Sequence, residues 1–206
     1  MNQYDGVFLI GFGGPTPGCC KRLDPCPGSE ALCFVQCIVG TNNMDRVEEV
    51  AKHYNVFGGF SPFNELTFKQ ATALKDVLKS RGLDLPVYIG MRNWSPFFGE
   101  TVEQMVTDGS RSIIGIILSS FQSSASWERY QQEVQDAVNM SENGPLVVRY
   151  IEPWYKEDGF IDAVTDLIRS SCLGWSRERF KRAGLILTAH AIPQTAAEQS
   201  PYTKQF

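Results

Sequence analysis

Histidine is almost missing from this 206-residue chain, which has only His53 and His190. A metal or acid-base site built on clustered imidazoles is therefore excluded. Long apolar runs are missing too: the longest purely aliphatic ones, Ile116 to Leu118 and Leu185 to Leu187, fall far below the roughly 18 residues of a membrane span. The chain has no excess of basic charge; its net charge of −4 and isoelectric point near 5.3 argue against a nucleic-acid partner. The opening MNQYDGVFLIGF carries an acid and no basic flank, so it does not read as a secretory signal. These absences imply a soluble, cytoplasmic protein with no transmembrane segment, for which peripheral membrane contact stays open. No repeat or low-complexity tract is evident.

Cysteine is nearly absent outside one stretch. Cys19, Cys20, Cys26, Cys33 and Cys37 crowd a Cys-rich insertion at about 19–37, and only Cys172 lies elsewhere. A secreted disulfide framework would be spread through a small, loop-rich chain. In a reducing compartment the cluster suggests ligands for zinc or an Fe–S centre, or else a plain thiol-rich loop; the spacing matches no standard finger or ferredoxin pattern.

What is present alternates between strand and helix. Gly6 to Phe12 is a near-continuous apolar run ended by Gly13, Gly14 and Pro15, the pattern of a buried parallel strand and a tight turn. GxGxxG is not completed there, so a plain turn competes with phosphate binding. Val47, Val50, Ala51 and Tyr54 share one face of a helix over 44–54, and Ser61-Pro62 starts another that presents Ala73, Leu74, Val77 and Leu78. Val87 to Met91, Ile113 to Leu118 and Leu146 to Ile151 read as strands. Thr101 with Gln104 suggests a capping box, and Trp127, Tyr130, Val134 and Val138 mark a helix. Asp158 caps a helix whose buried face holds Phe160, Ile161, Val164, Leu167 and Ile168. The hydroxyls from Ser119 to Ser126 suit either an anion or a solvated loop.

The last apolar run, LILTAHAIP from Leu185 to Pro193, reads as a buried strand that delivers His190 to the end of a sheet, where open α/β folds place ligands. Arg92, Asn93 and Trp94 occupy the matching end of an earlier strand. The expectation is an α/β chain of two Rossmann-like, doubly wound parallel-sheet domains, 1–120 and 121–206. The second would own two strands and so be incomplete in this chain.

GFGGP, EEVAKHYNVFGGFSPFN, LDLPVYIGMRNWSPF, SRSIIGIILSSFQSSASWERY and LTAHAIP, in that order, make the chain resemble the ferrochelatases, lyases of haem biosynthesis that insert ferrous iron into a porphyrin. The resemblance covers nearly everything outside the cysteine segment and about the first three fifths of a family member. It implies a porphyrin cleft with His190 as the catalytic residue that contacts Fe2+ or takes up pyrrole protons. It implies Phe12 facing the metal, and His53, Tyr54, Ser61 and Tyr130 against the macrocycle and its propionates. Arg92 and Asn93 fall beside the metal path, and Phe12, Trp94 and Phe121 are wall residues. The substrate would be protoporphyrin IX or coproporphyrin III with Fe2+. Some relatives also hold a [2Fe–2S] cluster, for which the five clustered cysteines are the candidates. The family's glutamate partner of the histidine and its arginine-rich propionate anchor have no counterpart here, since Cys37 to Thr41 stands at the anchor's place. An inactive porphyrin- or haem-binding module and a chelatase for another metal and tetrapyrrole are the alternatives.

Overall fold

A computed structural model describes residues 3–18 and 22–206. Four parallel strands form one sheet: β1 (Gly6–Gly11), β2 (Val87–Met91), β3 (Ser112–Ile117) and β4 (Val147–Tyr150), in the order β2-β1-β3-β4. Every residue of β1 is buried, as its unbroken apolar run demands of a strand covered on both faces. It pairs Val7 with Val87 on one side and with Ile114 on the other.

The two faces take different helices. Val7 and Leu9 pack with Ala71, Leu74 and Leu78 of α3 (Phe63–Ser80). Phe8 points the other way and meets Phe98 of α4 (Phe98–Thr107) edge-on at 6.2 Å. Phe98 in turn meets Tyr130 of α5 (Arg129–Met140). The sheet is therefore doubly wound, and its strand order reverses between β1 and β3. A crevice beyond the carboxyl ends of the strands follows from that reversal. At the outer edge of β2, Met91 N donates to Pro96 O at 2.7 Å and Thr101 Oγ1 to Ile89 O at 2.8 Å, so part of the edge is already capped.

Several expectations change. The cysteine stretch is not all loop: α1 (Glu30–Val39) carries Cys33 and Cys37, with Ser29 Oγ accepting from Leu32 N at 3.2 Å as its N-cap. Its Ala31, Phe34 and Val35 share a core with Val47 and Ala51 of α2 (Met44–Asn55) and with Trp94. The buried face of α3 runs through Asn64, Thr67 and Ala71 to Leu74 and Leu78, which leaves Ala73 and Val77 exposed. Helix α4 starts before Thr101, at Phe98, where the Glu100 carboxylate accepts from Phe97 N at 2.7 Å. The 146–151 strand, expected to begin a second sheet, instead joins the first by pairing with β3.

Residues 119–129 and 152–206 form a second compact unit. It holds a π-helical turn (Ser124–Glu128), α6 (Asp158–Ser171), α7 (Arg177–Arg182), α8 (Gln194–Gln199) and α9 (Tyr202–Gln205), and no strand. The stretch expected to be a strand at 185–193 has no regular structure, with Leu185, Ile186 and Leu187 between 62% and 85% exposed. A strand is completed by a neighbour's hydrogen bonds, and the second unit holds no other strand to supply them. For the same want of a sheet, no residue of α6 is buried, and Asp158 is its first helical residue rather than its cap.

Burial pushes the Tyr130 and Tyr150 hydroxyls up to about 12. An unfolded tyrosine ionises near 10, so this stability is complete below pH 10 and is lost as pH rises from 10 towards 12. Each shift corresponds to about 2–3 kcal/mol. The urea midpoint should fall steeply across that window, and Tyr130→Phe should flatten the fall; an unchanged slope in the variant would show that Tyr130 ionises freely in the fold.

Candidate functional site

Beyond the carboxyl end of β1 the chain folds back on itself. Gly13 takes φ +79°, and a side chain there would meet Met91 Cβ and Trp94 N at 3.0 Å. Gly14 N donates to the buried Asn64 Oδ1 at 2.8 Å, and Ser61 N donates to Pro15 O at 2.9 Å. These bonds staple the GFGGP loop to the start of α3. They also spend the Gly14 amide that a phosphate would have needed, so the turn is structural.

The β2 end is tied to the same loop. Asn93 donates to Phe12 O through both its backbone N–H, at 3.0 Å, and its Nδ2, at 3.1 Å. Trp94 Nε1 donates to Thr16 Oγ1 at 2.8 Å. Trp94 is thus a buried strut of the α1/α2 core rather than an open wall. The Phe12 ring is 38% exposed and meets Phe34 edge-on at 6.1 Å.

Around this frame lies a groove of about 920 Å³ lined by the loop residues Thr16 and Pro17, by Val50, His53 and Tyr54 of α2, and by Phe57, Phe60, Ser61, Pro62 and Glu65. The structure thus brings together three residues singled out in the sequence, His53, Tyr54 and Ser61. The 3.6-residue period of α2 does it, since the turn that buries Val47 and Ala51 sets Val50, His53 and Tyr54 along the groove. Partial burial raises the Tyr54 hydroxyl above its ordinary value. The hydrogen bond and charge of Lys69 hold the Glu65 carboxyl below its own. Sequence reasoning missed Thr16, Phe57 and Phe60; the pair of glycines at positive φ, Gly58 and Gly59, was the signal that the chain turns there and presents the flanking aromatics.

Other singled-out residues go elsewhere. The Arg92 guanidinium donates through Nε to both Glu133 carboxylate oxygens, at 2.8 and 2.9 Å, and its centre lies 5.9 Å from the Tyr130 ring. Tyr130 is buried beneath it against Phe98, so it does not line the groove. Phe121, in the second unit, meets Tyr202 and Phe206 edge-on and Tyr155 at a tilt. The hydroxyl-rich loop bonds largely to itself, through Ser119 Oγ to Phe121 O at 2.9 Å and Ser123 Oγ with Ser126 Oγ at 2.9 Å. His190 is exposed in the second unit, where its carbonyl accepts from the Tyr202 hydroxyl at 3.2 Å.

Cys19 and Cys20 lie outside the described residues. Of the others, Cys26 is exposed, Cys33 buried and Cys37 half-buried. Among the described residues no group of three or more His, Cys, Asp or Glu side chains is placed to hold a metal ion. Cys26, Cys33 and Cys37 therefore do not fit a cluster site among themselves. No helix of the described residues is long and apolar enough to cross a membrane.

A family model described as Ferrochelatase matches residues 30–206. The chain is 32% identical to a ferrochelatase of Rhodopirellula baltica, over 100% of its own length and 56% of the relative's. It is likewise 32% identical to a ferrochelatase of Deinococcus radiodurans, over 97% and 61%. A coproporphyrin III ferrochelatase of Streptomyces coelicolor shares 30% identity, over 97% and 52%. The chain thus spans about half to three fifths of the length of these curated relatives.

Proposed function

Because the chain belongs to the ferrochelatase family, we propose that its groove beside β1 is one wall of a porphyrin cleft and that it serves the insertion of ferrous iron into the macrocycle, in the cytosol. The observation that carries this is the lining of the groove. A largely apolar space of about 920 Å³ is of the size that seats a small ligand, and it gathers Phe57, Phe60 and Tyr54 with two hydroxyls and an imidazole. Phe57 is 79% exposed, so a bound macrocycle covers apolar surface that otherwise faces water.

Metalation removes both inner pyrrole protons while the iron exchanges water for ring nitrogens. A neutral imidazole accepts a proton near physiological pH and also ligates ferrous iron, and His190, at the position of the family's active-site histidine, has one of those roles. Binding energy from the apolar wall can hold the ring distorted, with its nitrogen lone pairs exposed. Phe12, with its open ring at the β1 end, faces the metal in this reading. Arg92 and Asn93 act through position: Asn93 fixes the Phe12 carbonyl, and Glu133 fixes Arg92.

Titrating the chain with protoporphyrin IX and following fluorescence quenching tests the wall. Saturable binding is expected, and Phe57→Ser should weaken it by about tenfold or more, the equivalent of burying one phenyl group. Equal affinities would dismiss the groove as the binding surface. With ferrous, cobalt or zinc ions added, metalation that disappears in His190→Ala supports the chelatase reading. Porphyrin binding without metalation of any kind, both in this chain and in a protein of the relatives' full length that carries it, would make it a binding module instead.

A further inference from the structure

Little holds His190 in place. Among the described residues none of positions 184–192 makes a backbone–backbone hydrogen bond, and the stretch from Leu185 to Pro193 has no regular structure. The one hydrogen bond that His190 makes there comes from Tyr202, whose hydroxyl donates to the His190 carbonyl at 3.2 Å. A group that meets a metal or a proton needs a fixed place, since a displacement of about 1 Å can cost about a hundredfold in rate.

Tyr202 is itself anchored. Its ring meets Phe121 edge-on at 6.0 Å, and the Phe206 ring meets Phe121 in the same way at 5.8 Å. Between these two rings Gln205 Oε1 accepts from Gln122 N at 2.7 Å. α9 (Tyr202–Gln205) and Phe206 thus grip the 119–122 loop through two aromatic contacts and a backbone N–H. The loop is closed on itself by Ser119 Oγ, which donates to Phe121 O at 2.9 Å. All of these contacts lie within the second unit.

We propose that Tyr202 is a positioning residue for His190. Its ring docks on Phe121, and its hydroxyl carries that anchorage to the histidine backbone, so α9 is a clasp between the 119–122 loop and His190. The role needs no contact of Tyr202 with iron or porphyrin. It rests on the reading of His190 as the group that meets iron or pyrrole protons.

Tyr202→Phe tests the clasp, because it keeps the ring for Phe121 and deletes only the donor. Labelled with 15N-histidine, the chain gives two backbone amide signals, and His53, in the other unit, is the internal control. The order parameter of the His190 amide should fall from about 0.85 to below about 0.6 in Tyr202→Phe, with that of His53 unchanged. Insertion of zinc or ferrous ions into protoporphyrin IX is then followed in a protein of the relatives' full length that carries this chain. There Tyr202→Phe should lower kcat about tenfold or more and keep KM for the porphyrin within about twofold, and Gln205→Ala should lower kcat less. Equal order parameters at His190 in the two chains, or an unchanged kcat, would overturn the clasp and leave the role of His190 standing. Metalation that survives His190→Ala would instead overturn the reading of His190 on which the clasp depends.

Discussion

Gly14→Ala should cost the chain most of its porphyrin affinity, by about tenfold or more, together with about 1–3 kcal/mol of stability. A Cβ at this position would sit 2.6 Å from Ser61 Cβ and 2.8 Å from Ser61 Oγ. Ser61 cannot step aside freely, because its N–H is bonded to Pro15 O and its Oγ to Phe63 N. Relief therefore means shifting the start of α3 and, with it, the part of the wall formed by Ser61, Pro62 and Glu65. Gly99→Ala is the control: outside its chain neighbours and its own helix's backbone no atom lies within 4 Å of the added methyl, and a helical glycine gains stability from alanine. Paired urea and porphyrin titrations would read both effects. Unchanged affinity in Gly14→Ala would mean that the loop and the groove are independent.

Phe8→Ala should remove about 3–5 kcal/mol, a large part of the total of about 5–15 kcal/mol usual for a domain. Phe8 is wholly buried on the α4/α5 face of the sheet, and its ring rests on Gly90. A methyl added at Gly90 would come 2.6 Å from that ring and 3.0 Å from Phe98, so Gly90→Ala alone should cost about 1–3 kcal/mol by overpacking. The two sites are coupled: in a Phe8→Leu background Gly90→Ala should cost measurably less, and a double-mutant cycle from urea midpoints gives the difference. Strict additivity would show that the ring and the glycine do not share their space.

Legibility in the sequence followed the range over which the physics acts. β1, β2 and β3 and the helices over 44–55 and 63–80 were readable because apolar period and glycine stops are local signals. That Val147–Tyr150 pairs with β3 was not readable, because periodicity announces a strand without naming its sheet. The same limit misplaced Leu185 to Leu187, whose aliphatic run promised a strand that has no described neighbour. Helix α1 was hidden by its own cysteines: Cys33 and Cys37 drew attention as ligands, although Ser29 and the apolar Ala31, Phe34 and Val35 spell a capped amphipathic helix. Of the candidate site, His53, Tyr54 and Ser61 came from the resemblance, and the structure sets them in one groove. Tyr130 and Trp94 show the converse, since an aromatic side chain near a strand end serves equally well as core, and here both are buried.

The sheet order also has a consequence for how the chain is made. β1 precedes β2 and β3 in the chain, yet it is the strand that both of them flank. Until synthesis has passed Val87–Met91, the apolar run GVFLIG has no parallel partner, and until it has passed Ser112–Ile117 its second edge stays open. The nascent chain therefore carries this apolar segment with an open edge until β3 has been made, shielded only by the helices that emerge after it.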